Sequence, residues 1–395
     1  MPKVSQRKLI IHLSNVAVMA MLVESDSEDN SDLEEFYYYS LHLFKNDTNP
    51  RHSAAQLDPC YDMLALQELP DSSFLQLFRM RFPCFLNLLQ LLKPNPIFYN
   101  NSHSPQRELP IQLAIAICRL GSNGDGSAVY RLRNLFQVGY GRINVYTCRV
   151  ITAVYEFRSS MITWPTEAER LELSQVMQEE GFPGCVGFVD GTTIPLSQKP
   201  PKDGSHYWDP KKRYSISVTL ICDVNKKFIS CLAGYPGSCH DAYVFSNMKV
   251  AQQPQQYFDR NQFLLADSAY SSDQYVIPAY KGKELLVRDN VNFNYYLAQS
   301  RVRIEHAIGI LKGRFSSLRE IRTQLRSRSE GKAAVKWIIS CLILHNLLAD
   351  LKDQWNESYE DEIPDPPPDI NDDNNAQMDC EVKCKISLWL TLNDK

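Results

Sequence analysis

No apolar run in the 395 residues reaches the roughly 20 that a membrane-spanning helix needs. The apolar stretch at 9–23 follows Lys3, Arg7 and Lys8, but His12, Ser14 and Asn15 interrupt it, which argues against a secretory leader. Cysteine lacks any pairing pattern. The 11 residues are odd in number and scattered, and Cys118, Cys222 and Cys231 lie inside apolar runs, as buried thiols do. That excludes a disulfide-built secreted scaffold and points to a reducing, intracellular setting. Cys380 and Cys384 form a lone pair in the tail, a weak metal pattern. Internal repeats and a clear basic nuclear-localisation run are also missing.

Charge is present but unevenly placed. The formal net charge of −4 hides two acidic segments, 24–35 and 353–373, which hold roughly 16 acids and no Lys or Arg between them. The rest of the chain is then basic, near +12, as in a polyanion binder. The bland alternative is chance segregation into two loose tails. Residues 1–67 are expected to be a variable, partly disordered segment, and 353–395, with Pro364 and Pro366 to Pro368, an acidic, loosely structured tail.

Residues 68–160 read as helical, a candidate DNA-binding region. Asp71, Ser72 and Ser73 offer a cap before Phe74, Leu77 and Phe78. Phe85, Leu88, Leu89 and Leu92 make a second stripe, which Pro94 stops, and 109–120 is a third apolar helix. The spacing then predicts a helix over 127–136, a Gly-bearing break at 137–141 and a helix over 142–157, a helix-turn-helix pattern. Arg142, Asn144, Tyr146 and Arg149 on the second helix are candidates to face phosphates or base edges. A hairpin that only packs its own core fits the same pattern.

From 185 the pattern becomes that of strands. Residues 186–189 run straight into Asp190, and Gly191 follows, so Asp190 is read as closing a buried strand. Residues 214–223 alternate polar and apolar, 228–233 return as the second arm of a hairpin, and 241–250 read as a helix. Residues 262–266 form a strand that ends at Asp267, and 284–287 another short strand. The period becomes helical over 295–315, with Glu305 beside a buried stripe, and again over 330–352. Two strand-end aspartates and one helix glutamate that converge make an oxygen site suited to Mg²⁺ or Mn²⁺. Such ions activate a water or a 3′-hydroxyl and stabilise the leaving oxygen at phosphorus. Taken singly, Asp190 could merely open a turn and Glu305 could merely pair with Arg301.

The motifs together resemble the Harbinger-type transposases and the nucleases domesticated from them, within the DDE superfamily. Val189-Asp190-Gly191-Thr192 resembles the segment of the first catalytic Asp, and Ala266-Asp267-Ser268-Ala269-Tyr270 that of the second. Tyr235 to Asp241 resembles the Pro-Gly-Ser-x-His-Asp segment, Arg303 to Phe315 the helix of the final Glu, and Leu344-His345-Asn346 completes the order. Ala266 stands where the family usually has Gly, small for small. The resemblance covers about 70–350. It implies an α/β fold: a ribonuclease H-like catalytic core over 185–350 with a helical, helix-turn-helix-like N-terminal region. It also implies a triad of Asp190, Asp267 and Glu305 that holds a divalent metal, Mg or Mn, and a second, Myb-like DNA-binding protein as partner. His240 and Asp241 are candidates to support the ligands; Asp241 could equally cap a helix or bind the metal itself.

Basic residues crowd around these motifs. Lys312, Arg319, Arg322 and Arg326, with Arg301, Arg303, Arg314 and Arg328, make one track, and Lys211, Lys212 and Arg213, with Lys199 and Lys202, another. Both are read as contacts to duplex DNA, with Tyr207 and Trp208 as either stacking groups or core. The whole reads as a metal-dependent DNA endonuclease or transposase of the nucleus, the nuclear placement following from DNA. The rival readings are a domesticated DNA- or partner-binding protein without turnover and a small-molecule phosphohydrolase.

Overall fold

The computed structural model describes residues 66–100, 106–124 and 129–355. The acidic segment at 24–35, the tail beyond 355 with Cys380 and Cys384, and the expected helix start at Ser127 lie outside the described residues. Two compact units divide the chain, Met1–Ala153 and Val154–Lys395.

Helices make up the described part of the first unit: α1 (Asp71–Phe78), α2 (Phe82–Leu92), α3 (Leu109–Leu120), α4 (Val129–Phe136) and α5, which runs over Tyr140–Tyr155. Phe74 and Phe78 of α1 meet Phe85 of α2 at ring-centroid distances of 5.6 and 5.8 Å. Proline sits in the first turn of both α2 and α3, where its missing N–H would have no helical partner anyway. Side chains 111–118 of α3 are all buried, so α3 is the central helix of this unit. The break between α4 and α5 differs from the expectation. Gln137, not a glycine, takes the left-handed conformation, with φ 49°, and a Cβ on Gly141 would meet nothing.

The second unit is built on a sheet. α6 (Arg158–Met161) and α7 (Glu167–Glu179) precede β1 (Cys185–Pro195), β2 (Ser215–Cys222) and β3 (Phe228–Pro236). α8 (Asp241–Ser246), α9 (Lys249–Gln252), β4 (Phe263–Ala266), β5 (Val276–Pro278), α10 (Arg288–Arg314) and α11 (Arg328–Asp350) follow. Strand order is β3-β2-β1-β4-β5; β1 runs antiparallel to β2 and parallel to β4, and β4 is parallel to β5. This mixed α/β arrangement is compatible with a ribonuclease H-like core.

β2 is buried at all its positions, since helices cover both faces, although its Ser and Thr alternate with apolar residues. Three expectations need correction. Asp190 does not end its strand: β1 continues to Pro195, and Asp190 pairs across from Leu220. The apolar run at 284–287 is not a strand; Gly282–Leu286 is a 3₁₀ turn with Leu286 86% exposed, and the true edge strand is β5. The helix expected over 241–250 breaks into α8 and α9 at Asn247 and Met248.

α11 opens on a capping box in which Ser327 and Glu330 satisfy each other's backbone N–H groups. It is long and apolar enough to cross a bilayer by composition, yet 67% of its apolar window is buried in the fold. Its polar members serve β3. Asn346 accepts from Phe228 N at 2.9 Å and donates to Phe228 O at 2.8 Å, as a neighbouring strand would. His345 Nε2 lies 3.0 Å from Lys226 O, and burial pushes its pKa down to about 4, so it is neutral.

Candidate active site

Adjacent parallel strands place the two aspartates. Asp190 sits within β1, its side chain 19% exposed, and its Oδ1 accepts from Gly191 N at 2.8 Å. Asp267 follows the last residue of β4 and accepts from Ala269 N at 2.9 Å, a turn that leaves its carboxylate at the strand end. Helix α10 crosses beside them. Arg301 Nη2 stands 3.8 Å from Asp190 Oδ1 and 3.7 Å from Glu305 Oε1, so one buried guanidinium faces both carboxylates.

Electrostatics draw Asp267 into the same group. Burial raises the Asp190 pKa to about 6; Arg301 opposes this, while Asp267 and Glu305 reinforce it. The structure therefore brings Asp190, Asp267 and Glu305 to one locality. It does not close them into a ready-made cage: among the described residues no three His, Cys, Asp or Glu side chains stand at metal-binding spacing. Arg301 holds the counter-ion position, and Glu305 is 58% exposed.

A fourth carboxylate joins them. Asp241 is the first residue of α8, and a Cβ added to Gly191 would be driven into its carboxylate. The glycine after Asp190 is thus a spatial requirement, because it lets Asp241 approach the strand. Asp241 does not cap the helix; the cap position belongs to His240, which makes no side-chain cap bond and is exposed. Burial and Asp267 raise the Asp241 pKa. Tyr270, 3% exposed and packed edge-on against Phe245 of α8, completes the wall, and its hydroxyl has no hydrogen-bond partner. It is coupled electrostatically to Asp190, Asp241 and Asp267. Sequence reasoning left Asp241 undecided and gave Tyr270 no role. The signals were Gly191 and the position of Asp241 at the helix's first residue.

The donor chemistry fits a hard divalent ion. Carboxylate oxygens from β1, β4, α8 and α10 are gathered, and an unpartnered hydroxyl is buried among them.

The basic residues divide. Lys312 is not a free DNA-facing cation: it donates to Thr192 Oγ1 at 2.7 Å and Thr193 O at 3.0 Å, and burial lowers its pKa to about 8. Lys211 and Arg213 add to that lowering, which places their charges near Lys312. Lys211, Lys212 and Arg213 are exposed on the loop between β1 and β2. Arg303 pairs with Glu180 and lies over the Phe188 ring, and Arg314 is buried against Asp353, so neither belongs to a surface track. Arg319, Arg322 and Arg326 are exposed; Arg322 is 3.9 Å from Glu320, and Arg326 Nε donates to Gln324 at 2.6 Å. Trp208 is 46% exposed and stacks edge-on against Tyr214.

In the first unit, Tyr146 is 3% exposed and packs in the core, so it is no base-edge reader. Asn144 accepts from Arg119 at 2.8 Å, Arg149 is half-buried towards Gln112, and Arg142 is exposed.

Comparison with known proteins bears on the family. Residues 189–346 match the model of the DDE superfamily endonuclease family. An Arabidopsis thaliana protein named ALP1-like is 21% identical over 300 residues, covering 71% of this chain and 72% of its own. Human HARBI1, a candidate nuclease by its name, is 21% identical over 296 residues, covering 72% of this chain and 80% of its own. The Arabidopsis protein named antagonist of like heterochromatin protein 1 is 25% identical over 344 residues, covering 79% and 85%. No solved structure matches the chain significantly. The chain thus resembles the DDE superfamily endonucleases over residues 189–346 and is related at low identity to ALP1-like and HARBI1.

Proposed function

We propose that the protein is a metal-dependent DNA endonuclease of Harbinger type, which cuts phosphodiester bonds beside Asp190 of β1 and the end of β4 and can join the freed 3′-hydroxyl to target DNA. The observation that carries this is Arg301 between the Asp190 and Glu305 carboxylates, with Asp267 close enough to raise the Asp190 pKa and Asp241 against Gly191. The strand order with β1 central supports a ribonuclease H-like core.

Mg²⁺ or Mn²⁺ would be held by Asp190, Asp267 and Glu305, with Asp241 as a further oxygen donor, and when bound supplies Lewis-acid activation of the attacking oxygen and stabilisation of the leaving one. The chain's own groups prepare that site. Arg301 keeps the Asp190 and Glu305 carboxylates turned towards each other. Lys312 ties α10 to β1 through Thr192 and Thr193, so the glutamate helix cannot slide along the strand that carries Asp190. The loop cations Lys211, Lys212 and Arg213 attract the phosphate backbone beside the carboxylates. The α4–α5 pair, through Arg142, is proposed as an additional DNA contact, with a Myb-like protein as partner and the nucleus as location.

A second reading is a DNA- or partner-binding protein without turnover. Arg301 in the counter-ion position favours it, as does the name of the relative called antagonist of like heterochromatin protein 1. Incubation of the full chain with duplex DNA and Mg²⁺ or Mn²⁺ separates the two. Cleavage that Asp190→Asn abolishes supports the nuclease; tight binding without cleavage in either metal, partner included, supports the binding protein.

A further inference from the structure

Two basic segments that lie more than 100 residues apart in sequence meet in the second unit. A cleft of about 630 Å³ is lined by Lys202 from the β1–β2 loop, by Arg326 just before α11, and by Arg328, Lys332 and Lys336 of α11. Among the described residues its one acidic wall residue is Asp203. Several other cations of this unit have acidic partners: Arg303 has Glu180, Arg314 has Asp353, and Arg301 has two carboxylates. Here five meet a single acid on the cleft wall, which leaves a concentrated positive field in a concave, solvent-open place, where field lines focus.

The arrangement has the shape of a track. Arg328, Lys332 and Lys336 are spaced four apart and so share one face of α11, spread over about 12 Å at 1.5 Å per residue. Gly331 lies on the same wall, and a Cβ there would meet nothing, so the helix surface between the cations is open to a ligand. The N-terminus of α11 faces the cleft, with its first N–H groups already satisfied by the Ser327–Glu330 box, and adds its dipole to the field. Tyr207 supplies a half-buried ring at one side, and Lys336 lies 5.4 Å over the ring of Tyr155.

We propose that this cleft is a second polyanion site that holds the phosphate backbone of DNA, separately from the carboxylate cluster. A line of cations on one helix face matches a repeating polyphosphate better than a single small anion, which needs convergent donors around one point. The proposal rests on the reading of the protein as DNA-acting and assigns the strand an anchor of its own, made by Arg328 and Lys332 at the centre and Lys202 and Lys336 at the flanks.

The test measures binding of a fluorescent duplex by the full chain, by anisotropy across a salt series, with Ca²⁺ in place of Mg²⁺. Arg328→Gln with Lys332→Gln is the cleft variant, since both side chains are exposed and their loss leaves the core intact; Lys249→Gln with Lys283→Gln is the matched control. Thermal unfolding checks that each variant folds. The slope of log affinity against log salt is expected to flatten by about 0.9 for each phosphate that the protein no longer neutralises, so by nearly 2 in the cleft variant, and to stay unchanged in the control. Wild-type binding with an unchanged slope in the cleft variant would overturn the cleft and leave the nuclease reading standing. Failure of the wild type to bind duplex DNA at all would overturn both. Displacement of the DNA by millimolar inorganic phosphate at constant ionic strength would reduce the cleft to a small-anion site and overturn the proposal.

Discussion

The carboxylate site and the basic cleft are charge imbalances of opposite sign within one unit. At the first, Asp190, Asp267, Glu305 and Asp241 gather where one guanidinium faces two of them, and at the second five cations line a cleft with one acid. The first is desolvated, so its charges act at short range and burial shifts the protonation of Asp190 and Asp241 upward. The second opens to water, where charges act over a Debye length, about 8 Å at physiological salt, and are screened beyond it. A buried imbalance suits bond-making chemistry; an exposed one suits capture of a long anion. Changes at the first should therefore alter rates and stability, and changes at the second should alter salt dependence.

The largest effect is expected at Asp190. Asp190→Asn should lower metal-dependent cleavage by roughly 10³-fold or more, about 4 kcal/mol of barrier, while duplex binding in Ca²⁺ persists. The same change should stabilise the metal-free protein near neutral pH. A raised folded pKa means that the acid's contribution to stability is fully present below the unfolded value of about 3.8 and is lost as pH rises through about 6. Neutralisation at Asn removes that loss, at most about 2–3 kcal/mol at pH 7 by the shift alone. Chemical unfolding of both proteins at pH 4.5 and pH 7.5 checks the sign; a larger gain at the lower pH would contradict it.

Arg301→Gln comes next. It leaves the buried Asp190 without its close cation, so it should destabilise by on the order of 1–3 kcal/mol and push the Asp190 pKa above about 6, as read by carbon-detected titration of the carboxyl. Gly191→Ala should fold but displace the Asp241 carboxylate. Cleavage should drop by roughly one to two orders of magnitude, and affinity for Mn²⁺, measured calorimetrically, should weaken; unaltered affinity would remove Asp241 from the site. Tyr270→Phe should have the smallest effect on stability, within about 1 kcal/mol and towards stabilisation, because it deletes a buried hydroxyl without a partner and keeps the ring on Phe245.

Much of the candidate site was legible residue by residue. Asp190 and Asp267 each follow an apolar run, and β-strand burial makes such runs conspicuous. The position of Asp190 within β1 was not, since Gly191, Thr192 and Thr193 look like a turn until pairing with β2 carries the strand through them. Lys312 and Arg314 read as surface cations because charge alone does not reveal a partner 120 or 39 residues away. Tyr146 read as a possible DNA contact because helix periodicity cannot say which face the core takes.

The amino-acid order by itself determined β1 to β4 and the two long helices α10 and α11 of the second unit, the choice of Asp190, Asp267 and Glu305, and the resemblance to a DDE nuclease. Those rest on local patterns of burial and turn chemistry, which each segment carries in its own residues. Only the tertiary structure decided that Asp241 stands against Gly191, that Arg301 is the counter-ion of two carboxylates, and that Lys202 shares a cleft with Lys332. Those are distances between segments, set by how β1 pairs with β2 and β4 and where α10 and α11 pack, and no local pattern encodes a distance.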